Sequence, residues 1–140
     1  RHLIMAIAQW QPIPNAKPTR LNGRTLYQAI LIMKRGDVWW VEFDPALGSE
    51  IKKTRPAILV SNDSANRHLT RVIVVPLTSN TERLYPGEAL VTLSDQPSKA
   101  MADQIMTVDK RRLKSKIATL TKSDLRDVEA AILVQLGLPK

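Results

Sequence analysis

The clearest run of alternating and apolar character starts at Asp37. "DVWWVEF" is rich in aromatic and β-branched residues and predicts a strand over 37–43. "DPALGSEIKKTR" follows as a loop, with Pro45 and Gly48 as breakers. "PAILVSN" predicts a buried strand over 56–61, and "DSANRHL" a single helical turn. "TRVIVVPLT" predicts a second buried strand over 70–78. "NTERLYPG" reads as a loop, and "EALVTL" as a strand ending near Leu93. "SDQPSK" reads as a turn, "AMADQIMTV" as a strand over about 101–108, "DKRRLK" as a basic turn and "KIATL" as a short strand. Short strands with turn signals every dozen residues or so favour a small, mainly β barrel or sandwich.

The last element has a different period. Leu125, Val128, Ile132 and Leu136 recur at helical spacing. Thr121 with Asp124 three residues on makes a capping-box arrangement, and Gly137 and Pro139 stop the helix. Its apolar face must bury against the barrel or against a second copy of the chain.

Residues 1–32 stand apart. They hold Arg1, Lys17, Arg20 and Arg24, no acidic residue, and three prolines at 12, 14 and 18. Met33 reads as the start of the folded domain, 33–140, and 1–32 as an extension outside it. The apolar runs in that extension lack the flanks of a secretory signal. No apolar run in the chain reaches the roughly 20 residues needed to cross a bilayer.

The chain of 140 residues has no cysteine, which excludes disulfides and thiolate metal sites and is compatible with a reducing cytoplasm. His2 and His68 are too few and too far apart for a zinc site or a histidine-based triad. Asp95, Asp103 and Asp109 match no metal-ligand spacing and read as turn residues, so no metal is expected. The formal net charge of +8 bears on partners rather than fold. Nucleic acid is the first candidate, because phosphate contacts supply most non-specific affinity. An acidic protein is the second.

Arg55 precedes Pro56, which holds the residue before it in extended geometry. The guanidinium is thus aimed reproducibly from a strand mouth, and its planar fork matches a phosphate. A pairing with a nearby carboxylate such as Glu50 is the plain alternative. Thr78 ends the next strong strand. If the two strands run antiparallel, Arg55 and Thr78 meet at one sheet edge and can grip one phosphate. Trp39 and Trp40 are adjacent in a strand, so one faces the core and the other faces away. Trp40 and its neighbour compete for a base-stacking role or a packing role. Lys110, Arg111, Arg112, Lys114 and Lys116 form a dense basic run that would hold RNA, dock an acidic segment or simply be solvated.

"RGDVWWVEFDPALGSE", "RPAILVSND", "VVPLTSN", "YPGEALV" and "ADQI…VDKRRL" follow one another in an order and spacing that resembles the MazF/PemK family of toxin ribonucleases. The resemblance runs from about Lys34 to Leu138 and leaves 1–32 without a counterpart. It implies an SH3-like antiparallel β-barrel with a C-terminal helix, working as a homodimer with RNA in a groove between subunits. It implies Arg55 and Thr78 as catalytic residues, with Glu50 a candidate general base. Ser79, Asn80, Lys52, Lys53 and Trp40 are the implied RNA contacts. It further implies a cytoplasmic endoribonuclease that needs no cofactor, cuts single-stranded RNA through the 2′-hydroxyl, and is neutralised by an antitoxin with an acidic C-terminal segment. Two other functions remain on the same barrel. A CcdB-like gyrase binder would end in Trp-Gly-Ile, whereas this chain ends "QLGLPK". A nucleic-acid-binding barrel without chemistry would retain RNA and not cut it.

Overall fold

The computed structural model describes residues 32–140; the expectations for the preceding extension lie outside the described residues. The elements run β1 (Asp37–Glu42), β2 (Thr54–Leu59), α1 (Asp63–His68), β3 (Arg71–Thr78), β4 (Glu88–Leu93), β5 (Gln96–Met101), β6 (Met106–Asp109), β7 (Leu113–Thr119) and α2 (Lys122–Leu136). All pairings are antiparallel, in the order β4-β5-β3-β2-β1-β7, with β6 also on β3. Bulges in β1–β7, between Val38 and Trp39 and between Trp40 and Val41, add local twist. The result is the mainly β half-barrel with a C-terminal helix that the strand pattern predicts.

Alternation along the central strands feeds two cores. Trp39, Val41, Ala57, Leu59, Val72 and Val74 share one with Met33 and Phe43. Val38, Ile58, Val75 and Leu77 face the other, which α2 closes with Val128 and Ala131. The helix starts as its sequence predicts: the Thr121 hydroxyl accepts from Asp124 N at 3.1 Å. It ends on Gly137 at φ 68°, a left-handed conformation that glycine adopts without steric cost. No described helix is long and apolar enough to cross a membrane.

Three details differ from expectation. First, β2 begins at Thr54, so Arg55 lies inside the strand rather than before it, and Pro56 is its third residue rather than its first. Second, the segment read as a turn over 94–99 is mostly strand. Leu93 pairs with Gln96, and Ser94 and Asp95 alone make the turn, both at positive φ. Non-glycine residues there leave no sequence signal of a two-residue hairpin. Third, the single strand expected over 101–108 is broken by a 3₁₀ turn, Ala102–Gln104. That corner lets β5 pair with the end of β3 (Leu77, Thr78) and β6 with its beginning (Arg71–Val74). Pro76, which has no N–H to donate, sits where the neighbour of β3 changes from β6 to β5.

The basic run is paired within the protein, with Lys110 buried and the exposed Arg111, Lys114 and Lys116 in ion pairs. Lys110 is buried and donates to the carbonyl of Asn66; burial pushes its ammonium down to about 8. Arg111 pairs with Asp109 at 3.0 Å and lowers that carboxyl below its usual range. Lys114 pairs with Glu42 and Lys116 with Asp37, each at 3.3 Å.

Candidate active site

Arg55 and Thr78 come together because β2 and β3 are antiparallel neighbours. Ala57 pairs with Pro76, and continuing that register by two residues sets Arg55 level with Thr78. Both line a cavity of about 510 Å³, with Trp40, Lys53, Ser79 and Gln96. Trp39 is buried in the first core and Trp40 is exposed at the cavity, which settles which tryptophan faces out. Leu77, Leu93 and Ile117 add an apolar wall.

The guanidinium is aimed by backbone. Arg55 Nε donates to the Lys52 carbonyl at 2.9 Å. Its two amino groups have no hydrogen-bond or ion-pair partner among the described residues, which leaves their donors available to a ligand in the cavity that Arg55 lines. Thr78 Oγ1 accepts from Asn80 N at 3.3 Å, which leaves its hydroxyl proton to donate elsewhere. One charged fork and one hydroxyl donor on the same rim make a site for an oxyanion.

The other expected RNA contacts are placed unevenly. Lys53 and Ser79 line the cavity. Lys52 contributes through its carbonyl, and its side chain is not part of the lining. Asn80 acts through its backbone N–H on Thr78 and caps Glu82 N at 3.2 Å. Glu50 is not brought to this cavity. Its Oε1 accepts from Leu47 N at 2.6 Å, which folds the carboxylate back on its own loop. It lines a second, smaller cavity of about 290 Å³ with Asp103, Gln104 and Met106. Nor does Glu50 pair with Arg55. Among the described residues no cluster of His, Asp and Glu could hold a metal ion.

Sequence reasoning missed two contributors. Gln96 and Ser98 enter the cavity from β5, where a turn was expected. Lys99 pairs with Thr78 across β3 and β5, is almost fully buried, and ion-pairs with Glu88 at 3.3 Å. Its Nζ also donates to the Arg83 carbonyl at 3.0 Å, fixing the loop that follows Ser79. Both were hidden by the unmarked hairpin turn at Ser94–Asp95.

Comparison with known proteins agrees with the fold. Endoribonuclease MazF9 of Mycobacterium tuberculosis is 37% identical over 116 residues, spanning 76% of this chain and 98% of that protein. The crystal structure of MazF from Deinococcus radiodurans superposes with a TM-score of 0.68 at 26% identity, over 76% of this chain and 97% of that one. An endoribonuclease from a mycobacterial species, solved in complex with its cognate antitoxin, superposes with a TM-score of 0.65 at 28% identity, over 77% of this chain and 98% of that one. Residues 34–136 match the PemK-like, MazF-like toxins of type II toxin–antitoxin systems, and this chain belongs to that family.

Proposed function

We propose that this endoribonuclease toxin cuts single-stranded RNA, in a sequence-specific way and without a metal, at the cavity between Arg55 and Thr78. The 2′-oxygen attacks the adjacent phosphorus, its proton passes to solvent water, and the P–O5′ bond breaks. The products are a 2′,3′-cyclic phosphate and a 5′-hydroxyl end. The substrate carries its own nucleophile, so the protein's work is positioning and charge stabilisation. Arg55 neutralises charge in the pentacoordinate transition state and gives a proton to the departing 5′-oxygen. Thr78 donates its hydroxyl proton to a phosphate oxygen. Trp40 offers an exposed face for stacking a base, and Lys53 and Ser79 hold the flanking backbone. The observation that carries this reading is the convergence of Arg55 and Thr78 on one cavity, with the arginine amino groups unpartnered there.

The same reading makes the chain a cytoplasmic homodimer neutralised by the acidic C-terminal segment of an antitoxin. Support comes from the net charge of +8 and from exposed Val134, Leu136 and Leu138 at the end of α2. Residues 33–140 form the toxin domain, and 1–32 are dispensable for cutting. Met33 is buried in the first core, which supports including it in the domain.

The test is incubation of purified protein with a long RNA in EDTA, with the new ends identified chemically. Cleavage leaving cyclic phosphate and 5′-hydroxyl ends is expected, and a 2′-deoxy substitution at the cut site blocks it. Gyrase inhibition without cutting, or RNA retention without cutting, overturns it.

A further inference from the structure

We propose that Arg112 is a positioning residue for Arg55, acting through the loop between β1 and β2. This rests on the assignment of Arg55 to the cleavage site. Arg112 belongs to the basic run and is half-buried against the end of β1. Its Nη1 donates to two carbonyls, Glu42 O at 3.0 Å and Asp44 O at 2.7 Å. Those carbonyls belong to the end of β1 and the first residues of the loop. β1 lies between the strand that follows Arg112 and the strand that bears Arg55: Val41 pairs with Leu113 on one side and Arg55 on the other.

From Asp44 the chain of contacts is short. Asp44 Oδ1 accepts from Lys53 N at 3.0 Å, and Phe43 N donates to Lys53 O at 2.8 Å. The neck of the loop is therefore closed on Lys53 from both sides. Lys53 sits at φ 67°, a conformation that a lysine keeps only where its surroundings hold it. The preceding residue, Lys52, supplies the carbonyl that fixes Arg55 Nε. Turning the peptide at Lys53 would turn that carbonyl, and the guanidinium with it. At the loop's other contact, Ile51 N meets Gln104 Oε1 at 3.3 Å, a longer bond outside this chain. Arg112 thus fixes the loop neck that aims the phosphate-binding fork.

The experiment compares Arg112→Met with wild type in RNA cleavage, salt dependence and side-chain NMR. Expected is a fall in kcat of about 10- to 100-fold, the scale of a misplacement near 1 Å. KM and the salt slope stay as in wild type. In the Arg55→Ala background the same substitution causes no further loss, because residues acting as one unit are non-additive. The Arg55 Nε–H signal, slowly exchanging in wild type, exchanges rapidly in Arg112→Met. Asp44→Ala cuts the same chain at another point and reproduces both signatures, which keeps the test alive should Arg112→Met not fold. A raised KM with the salt slope reduced by about one would make Arg112 a phosphate contact and overturn the proposal. So would an additive loss in the Arg55→Ala background, or an unchanged Arg55 Nε–H signal. The NMR signal does not depend on turnover. Absence of cleavage in the wild type would count against the function, and retained protection in Arg112→Met against the positioning.

Discussion

The loop between β1 and β2 lines two cavities, and the two are opposite in charge. The larger one takes Lys53 from the end of the loop and Arg55 from β2 just beyond it, and among the described residues these are the only charged side chains in its lining. The smaller one takes Glu50, faced by Asp103, and its charged lining is wholly acidic. A few residues of chain separate the two sets. What divides them is geometry: Glu50 is folded back on Leu47 N, while the neck at Lys53 turns the chain toward β3. An RNA phosphate gains Coulomb energy in the first cavity and loses it in the second. That difference is why the proposed chemistry on RNA is assigned to the larger cavity.

The strongest way to break that contrast is Arg55→Ala. Removing the fork is expected to lower cleavage by roughly 10²–10³-fold, the scale for deleting one donor to a developing oxyanion. Folding should persist, because Arg55 is half-buried with a single side-chain hydrogen bond, to Lys52 O. Arg55→Lys should rescue little, since an ammonium cannot hold both Lys52 O and a bidentate phosphate. Single-turnover cleavage beside a melting curve decides; a near wild-type rate with an unchanged melting temperature sinks the site.

Thr78→Val comes next. It keeps the branched shape and deletes the hydroxyl. The expected loss is roughly 10- to 100-fold in kcat, the worth of one hydrogen bond to a charged group. RNA binding, read by fluorescence anisotropy, should weaken much less. Equal losses in binding and turnover would make Thr78 a binding residue only.

Lys53→Ala probes charge without touching the fork. A rise in KM of about 3- to 10-fold is expected, with the salt slope reduced by about one, as for a single phosphate contact. A kcat effect instead would mean that the loop neck had shifted.

How much of this was legible in the chain follows the same division. The strands around Arg55 and Thr78 are buried on both faces and β-branched, so period and composition marked them. Pairing of sequence neighbours then put the two residues together. The cavity's other wall was not legible. Its hairpin turns on Ser94 and Asp95 without glycine, and Pro97 disguised β5 as a loop. The partners of the basic run were not legible either. Charge density announces a nucleic-acid surface, but the partners that occupy Lys110, Arg112, Lys114 and Lys116 come from β1 and α1, distant in sequence. Glu50 shows the limit most plainly. The resemblance implied a role for it in the reaction and proximity suggested a pairing with Arg55, whereas its carboxylate accepts from Leu47 N within its own loop and lines the other cavity.

The smallest expected effect is at Glu50 itself, and it sharpens the contrast most. Were Glu50 the general base, Glu50→Gln would remove a proton acceptor and cost about 10²–10⁴-fold, with a flattened pH profile. The amide keeps an oxygen that accepts from Leu47 N as the carboxylate does, so the loop should hold its shape. Glu50 is exposed, and a substitution of this kind away from the reacting atoms usually changes little. Cleavage within about threefold of wild type is therefore expected, with the pH–rate profile unchanged in form. The measurement is kcat/KM across the pH range for both proteins on one RNA. A profile that loses its acid limb in Glu50→Gln would carry the carboxylate back into the reaction, and the two cavities would then be parts of one site.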